Sequence, residues 1–152
     1  MIYQGKQMDV TLRKVTKDNY ERVCELDVEK AQEDYVACNM WSLVEATYNN
    51  GYESRAIYLA NEPVGFLMWV RESADKMSIW RFMIDQHYQK KGIGRKALSL
   101  ALDEIKAVSM LKQIEICYHP ENPVAKSFYA SFGFNEVGMD EDNEDMIAVI
   151  EL

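Results

Sequence analysis

Cysteine is scarce in this chain of 152 residues, where only three occur, at Cys24, Cys38 and Cys117. They form no C-x-x-C pair, and no histidine cluster lies near them. An odd number of thiols at wide, irregular spacing argues against a disulfide framework and against a zinc site. We therefore expect no metal, and we expect reduced thiols in a cytoplasmic protein.

Long apolar runs are also missing. None approaches the roughly 20 apolar residues that a membrane-spanning helix needs, and residues 1–6 lack the apolar core of a signal sequence. The chain has no internal repeat, low-complexity tract or linker. At this length folding can bury roughly 68–70% of the extended chain's surface. We expect a single domain over residues 1–152 without a membrane partner.

Basic residues are outnumbered, because 17 lysines and arginines face 25 aspartates and glutamates, giving a net charge of −8. This balance opposes nonspecific binding to nucleic acid and mildly favours cationic partners. We expect no nucleic-acid partner.

The most informative stretch is 77–97, where an apolar run gives way to two glycines, Gly92 and Gly94, and then to a helical pattern. This order predicts a strand, a tight turn and a helix whose first N–H groups favour a phosphate. The alternative is a turn with a small residue at its corner. The G-x-x-x-x-G-K-[ST] loop is absent. Residues 92–97 satisfy a loose dinucleotide pattern, but that motif follows the first strand of its domain, and no acidic residue follows at the required distance.

Hydrophobic periodicity and turn residues predict the remaining elements. We expect an antiparallel meander of three strands leading into the glycine turn, and a strand after the following helix that is parallel to its predecessor. Asn122 is predicted to cap the last helix, with Pro123 at its first position. The expected strands are 10–15, 54–60, 64–71, 77–84, 113–117, 134–139 and 146–152, and the expected helices begin at 17, 40, 94 and 123.

Two motifs carry a resemblance to a known family. Gln89-Lys90-Lys91-Gly92-Ile93-Gly94 is similar to the Arg/Gln-x-x-Gly-x-Gly/Ala signature of the GCN5-related N-acetyltransferases (GNAT), and residues 122–134 are similar to the family's asparagine and Phe-Tyr-x-x-x-Gly-Phe helix. Residues 81–85 and 88–89 resemble the bacterial spermine/spermidine (diamine) acetyltransferases most closely.

The resemblance implies a mixed α/β GNAT fold, with a mostly antiparallel seven-stranded sheet, a parallel pair of fourth and fifth strands, and about four helices. It implies transfer of an acetyl group from acetyl-CoA to a primary amine by direct attack in a ternary complex, the amine being a polyamine such as spermidine or spermine. Alternative acceptors are a peptide or protein amino terminus, an amino acid or an aminoglycoside. A non-catalytic sensor of acyl-CoA is a further alternative. The family also implies a homodimer.

The same resemblance assigns site residues. Tyr129 would protonate the leaving coenzyme A sulfur, although its ring can equally be a packing residue beside Phe128 and Phe132. Asn122 would contact the coenzyme as well as cap a helix, and the basic side chains would either bind phosphate or face solvent. The residues expected to bind the coenzyme are Phe82, Met83, Ile84, Gln89, Lys90, Lys91, Gly92, Ile93, Gly94, Arg95, Asn122 and Lys126.

No general base stands out. Polyamine acetyltransferases usually carry a carboxylate where this chain has Trp80, and His119 is either a base or an ordinary loop residue. A water chain is an alternative to the acidic candidates Glu33, Asp34, Glu72 and Glu115. Aromatic faces attract cations, so an alternative is an amphipathic cavity lined by Trp80, Trp69, Trp41 and Tyr35.

Overall fold

A computed structural model of the protein describes residues 8–152. The expectation about residues 1–6 lies outside this range. The strands are β1 (Val10–Lys14), β2 (Tyr52–Leu59), β3 (Glu62–Arg71), β4 (Lys76–Ile84), β5 (Gln113–Tyr118), β6 (Asn135–Met139) and β7 (Met146–Glu151). The helices are α1 (Tyr20–Glu25), α2 (Asn39–Tyr48), α3 (Ile93–Lys106) and α4 (Ala125–Ala130), with 3₁₀ segments at Lys30–Tyr35 and Gln86–Tyr88.

All seven strands join one sheet in the order β1-β2-β3-β4-β5-β7-β6. Strands β4 and β5 are parallel, and every other neighbouring pair is antiparallel. The predicted mixed fold, the three-strand meander and the parallel pair are therefore confirmed.

Helices cover the sheet on both faces. One apolar side of α3, from Ile93 to Ile105, packs on one face together with α4. Helices α1 and α2 pack on the other face, where Val23 and Leu26 contact Phe66 and its neighbours. Strand β3 is buried over eight consecutive residues because both of its faces are covered.

Two predicted helix starts are wrong. Residues 16–19 form a turn, so that α1 begins at Tyr20 rather than at residue 17. Asn122 does not cap α4: its N–H donates to the His119 carbonyl at 2.9 Å, and its side chain accepts from the Val124 N–H at 3.3 Å. These bonds complete a turn after β5, which delays the first helical residue to Ala125.

Strands β4 and β5 pair only along part of their length. Their register ends at Ile79 opposite Ile116, although β4 continues to Ile84 and β5 to Tyr118. A bulge in the pairing with β3 leaves Trp80 without a partner at the same point. The sheet therefore opens between the two strands, and this separation positions the site.

Candidate active site

The glycine turn leads the chain from β4 into α3. Gly92, with φ of +83°, adopts the left-handed conformation that starts the helix at Ile93. A Cβ at Gly94 would lie 3.5 Å from the side chains of Ile84 and Phe82. Glycine here leaves the space beside the helix N-terminus free of a side chain.

A groove of about 420 Å³ lies beside this helix start, and we call it the coenzyme groove. Most of the predicted site residues line it, namely Phe82, Met83, Ile84, Gln89, Lys90, Gly92, Ile93, Gly94, Arg95, Asn122 and Tyr129. The structure thus gathers β4, the glycine turn and the α4 region around one space. Their predicted roles in binding and catalysis stay predictions.

Two predicted coenzyme residues lie outside the groove lining. The Lys91 ammonium lies 5.6 Å from the centre of the Tyr88 ring. Lys126 is exposed and pairs with Glu136 at 3.6 Å. Arg95 lines the groove, but its guanidinium also packs on Phe132 and donates to Ser131 Oγ at 3.0 Å.

Other lining residues were not predicted to bind the coenzyme, although one of them, Tyr35, was a candidate for the aromatic cavity. Gln32, Tyr35 and Val36 belong to or follow the first 3₁₀ segment, and Val124 precedes α4. Residues 31–38 are acidic and aromatic in character, but no motif marks them.

Tyr129 lies in an aromatic cluster. Its ring is stacked on Tyr118 with centroids 5.4 Å apart, and it meets Phe128 and Phe134 edge-on. Burial, together with the neighbouring Tyr118, raises the pKa of Tyr129 well above its ordinary value. The phenol therefore stays neutral at physiological pH, as a proton donor must.

His119 is poorly arranged as a base. Its ring lies 5.4 Å from that of Tyr35, and its Nδ1 accepts the Glu121 N–H at 3.2 Å. With Nδ1 occupied as an acceptor, the neutral ring carries its proton on Nε2 and has no free lone pair.

Two acidic base candidates are engaged elsewhere. Lys76 Nζ lies 3.0 Å from Glu72 and 2.8 Å from Glu115. Burial would raise the pKa of Glu72, but the hydrogen bond from Lys76 and its positive charge lower it. Neither carboxylate lines the coenzyme groove.

The expected aromatic cavity is only partly present. Trp69 is 3% exposed and lies in the core under α3, so its predicted place in a cavity is wrong. Trp41 projects from α2 with 65% exposure. Trp80 and Tyr35, in contrast, line a small cavity of about 70 Å³ at the separation of β4 and β5.

An open cavity of about 770 Å³ lies next to this separation. We call it the acidic basin, because five carboxylates line it: Glu33, Asp34, Glu121, Glu144 and Asp145. The one guanidinium in its lining, that of Arg81, pairs with Glu45 at 3.4 Å. The basin therefore has a strongly negative lining.

The small cavity joins the two larger spaces. It shares Asn122 and Tyr129 with the coenzyme groove, and Arg81 and His119 with the acidic basin. Tyr35 lines all three. Tyr129 thus lies where the groove and the basin approach each other through the opened sheet.

Within residues 8–152, no group of three or more His, Cys, Asp or Glu side chains is arranged to hold a metal ion. No helix of the described part of the chain has the length and apolar character needed to cross a membrane.

The comparison with known families agrees with this geometry. Residues 17–134 match the model of the acetyltransferase (GNAT) family, so the chain belongs to that family and is an enzyme of the acetyltransferase class. It is 29% identical to a probable spermine N(1)-acetyltransferase of Bacillus subtilis subsp. natto, over 95% of this chain and all of the relative. It is 28% identical, over the same shares, to a spermine/spermidine N(1)-acetyltransferase of Bacillus subtilis strain 168.

Solved structures share the fold at lower identity. Spermidine N-acetyltransferase from Vibrio cholerae, in complex with CoA and spermine, has a TM-score of 0.76 and 18% identity, covering 93% of this chain and 95% of that one. The PaiA N-acetyltransferase from Thermoplasma acidophilum, in complex with coenzyme A, has a TM-score of 0.73 and 20% identity, covering 95% of this chain and 100% of that one.

Proposed function

We propose that this enzyme acetylates a primary amine of a polyamine such as spermidine or spermine, by direct attack in a ternary complex with acetyl-CoA. The observation that carries the proposal is the acidic basin, which lies behind the coenzyme groove at the opened sheet. Carboxylates without cationic partners attract a flexible polycation. The names of the two Bacillus relatives support the same acceptor class.

Coenzyme binding would use the residues of the coenzyme groove. The N–H groups of residues 89–94 and the start of α3 would hold the pyrophosphate, and the amides of Phe82 and Ile84 would pair with the pantetheine arm. Acetyl-CoA supplies the thioester that the neutral amine attacks. The Tyr129 hydroxyl would give its proton to the departing sulfur.

Deprotonation of the amine is assigned to solvent, with Glu33 and Asp34 of the basin lining as the remaining acidic candidates. Trp80 provides no carboxylate, the His119 lone pair is occupied, and Glu72 and Glu115 are paired with Lys76. The acidic basin is open to water, which can carry the ammonium proton away before attack. The other ammonium groups of the polyamine would stay charged against the basin.

A thiol-release assay with acetyl-CoA and a panel of amines tests the proposal. We expect kcat/KM for spermidine and spermine to exceed that for an amino acid, an aminoglycoside or a peptide amino terminus by about tenfold or more, which corresponds to about 1.4 kcal/mol. A higher value for one of those acceptors would replace the polyamine. Coenzyme binding without turnover of any amine would support a sensor instead.

We also propose that the enzyme works in the cytoplasm as a homodimer. Met40, Val44 and Tyr48 recur at four-residue spacing on α2 and are at least half exposed, and Trp41 lies beside them. An exposed apolar stripe of this kind supports a protein contact. Sedimentation equilibrium should give twice the mass of the chain, and Trp41→Glu should shift it toward the monomer.

A further inference from the structure

One short segment contributes to both substrate spaces. In the 3₁₀ segment Lys30–Tyr35, Gln32 lines the coenzyme groove, while Glu33 and Asp34 line the acidic basin. An interaction that fixes the conformation of this segment therefore affects both the coenzyme groove and the acidic basin.

A side-chain amide ties the segment to the glycine turn. Gln89 Nε2 donates to Gln32 Oε1 at 2.9 Å and to the Ile84 carbonyl at 2.9 Å. The same Gln32 oxygen accepts the Glu29 N–H at 3.3 Å, which completes a capping box at the start of the segment. The Gln32 oxygen thus joins the start of the segment to the first residue of the phosphate-binding turn.

A second attachment lies a few residues upstream. The Asp27 N–H donates to Asp85 Oδ2 at 3.0 Å, and the Gln86 N–H donates to the Asp27 carbonyl at 2.8 Å. The Lys30–Tyr35 segment itself contains no buried residue. A short 3₁₀ turn without buried side chains has little stability of its own, so its conformation depends on contacts such as these two attachments.

We propose that Gln32 is a positioning residue that couples the two substrate sites, and this inference rests on the proposed function. Coenzyme held by residues 89–94 fixes Gln89, which fixes Gln32 and so presents Glu33 and Asp34 to the amine. The first ligand to bind then bears the cost of ordering the segment, and the second binds more tightly. Linkage makes the effect reciprocal: spermidine tightens coenzyme binding by the same factor.

Calorimetric titration of coenzyme A, with and without saturating spermidine, measures this coupling without turnover. For the wild-type enzyme we expect spermidine to tighten coenzyme A binding about 5-fold or more. Gln32→Met keeps the side-chain length and similar helix propensity but removes the acceptor, so the ratio of the two dissociation constants should fall to about one. Gln32→Glu keeps an acceptor oxygen and should retain the coupling.

Gln86→Ala is the matched control. Gln86 is exposed, three residues before Gln89, and it is joined to Asp27 through its backbone. This variant should keep the wild-type ratio. Amide hydrogen exchange gives a readout that does not need spermidine: coenzyme A should protect residues 29–36 in the wild type and in Gln86→Ala, and less in Gln32→Met.

The outcomes separate the two proposals. If both ligands bind to the wild type but spermidine leaves the dissociation constant of coenzyme A unchanged, the coupling is overturned and the polyamine function stands. An unchanged ratio in Gln32→Met, or no protection of residues 29–36 by coenzyme A in the wild type, also overturns it. Failure of spermidine to bind, or to be acetylated, overturns the proposed function and the coupling with it.

Discussion

Tyr118 and Tyr129 lie stacked, with ring centroids 5.4 Å apart and planes inclined by 22°. The Tyr118 hydroxyl donates to Glu136 Oε1 at 2.6 Å, which fixes its ring from the side of β6. Burial and the Glu136 carboxylate raise the pKa of Tyr118, as burial raises that of Tyr129. The stacked pair therefore keeps a neutral phenol at the opened sheet, the state that a general acid requires.

Tyr129→Phe tests this role. The substitution removes one hydroxyl and preserves the ring, so the contacts with Tyr118 and Phe128 remain. If the hydroxyl protonates the leaving thiolate, kcat should fall about 10²–10⁴-fold while coenzyme A affinity changes little. Single-turnover kinetics and coenzyme titration measure the two effects.

Tyr118→Phe is the matched control, because it removes the same group from the stacked partner. It should cost about 1 kcal/mol of unfolding free energy through the lost bond to Glu136, with kcat of the same order as the wild type. If Tyr129→Phe behaves like Tyr118→Phe, the phenol of Tyr129 has only a packing role.

The predictable parts of the fold are those that a short sequence pattern specifies. The apolar run of β3, the periodic apolar side of α3 and the glycines at 92 and 94 each specify their structure over a few residues. A strand reached through a helix is usually parallel to its predecessor, which is why the β4 and β5 pairing was predictable.

The acidic basin was not predictable as a unit. Its carboxylates come from three stretches: Glu33 and Asp34 in the 3₁₀ segment, Glu121 after β5, and Glu144 with Asp145 before β7. The sheet order, with β7 beside β5, brings the second and third stretches together, and the 3₁₀ segment reaches them only in the folded chain. The start of α4 was missed for a local reason, since an Asn-Pro pair suits a turn as well as a helix cap.

Gly94→Ala should separate folding from coenzyme binding. A methyl group there meets ordinary contacts at 3.5 Å, and alanine favours a helix, so the unfolding free energy should stay unchanged or rise by up to about 1 kcal/mol. The methyl group would also narrow the space in which the proposed pyrophosphate lies. We expect coenzyme A to bind about tenfold more weakly, or about 1.4 kcal/mol, in calorimetric titration.

Gly65→Ala, on β3, should destabilise the fold, in contrast to Gly94→Ala. Its Cβ would lie 2.5 Å from the Met83 carbonyl oxygen, so backbone must move. Unfolding free energy should fall by about 1–3 kcal/mol in urea denaturation.

For Gly94→Ala the contradicting outcome is an unchanged affinity for coenzyme A, which would argue against the glycine turn as the pyrophosphate site.

Removing negative charge from one edge of the acidic basin tests whether the basin binds the polyamine. Glu144→Gln combined with Asp145→Asn removes two lining carboxylates. Because exposed ion pairs contribute about 0.2–1 kcal/mol each, we expect KM for spermidine to rise about 2- to 30-fold, with a smaller effect at high salt. Coenzyme A affinity should stay constant, since neither residue lines the groove.

The same turn supplies a control with an identical change in net charge. Glu141 and Asp142 are exposed and do not line the basin. Glu141→Gln combined with Asp142→Asn should leave KM for spermidine near the wild-type value. Equal increases in the two double variants would assign the effect to overall charge rather than to the basin.

Asp85 is the buried carboxylate that joins β4 to the glycine turn. It is 6% exposed and accepts the Asp27 N–H at 3.0 Å, the His87 N–H at 3.0 Å and His87 Nδ1 at 2.9 Å. Burial alone would raise the pKa of Asp85, but the hydrogen bonds from Asp27 and His87 outweigh it and lower the pKa.

Asp85→Asn should therefore destabilise the fold in a pH-dependent way. Because the pKa is lower in the folded state than its unfolded value of about 3.9, the carboxylate stabilises the protein above that pH and loses this effect as pH falls through the folded pKa. An amide in its place sets an NH₂ against N–H donors, and we expect the unfolding free energy at pH 7 to drop by about 1–3 kcal/mol. Urea denaturation at pH 7, 5 and 3 should show the difference in unfolding free energy between wild type and variant shrinking toward pH 3.

The control is the exposed variant Asp142→Asn, which should match the wild type at each pH. If Asp85→Asn is instead less stable by the same amount at every pH down to 3, the shape of the Asp85 side chain rather than its charge stabilises the fold.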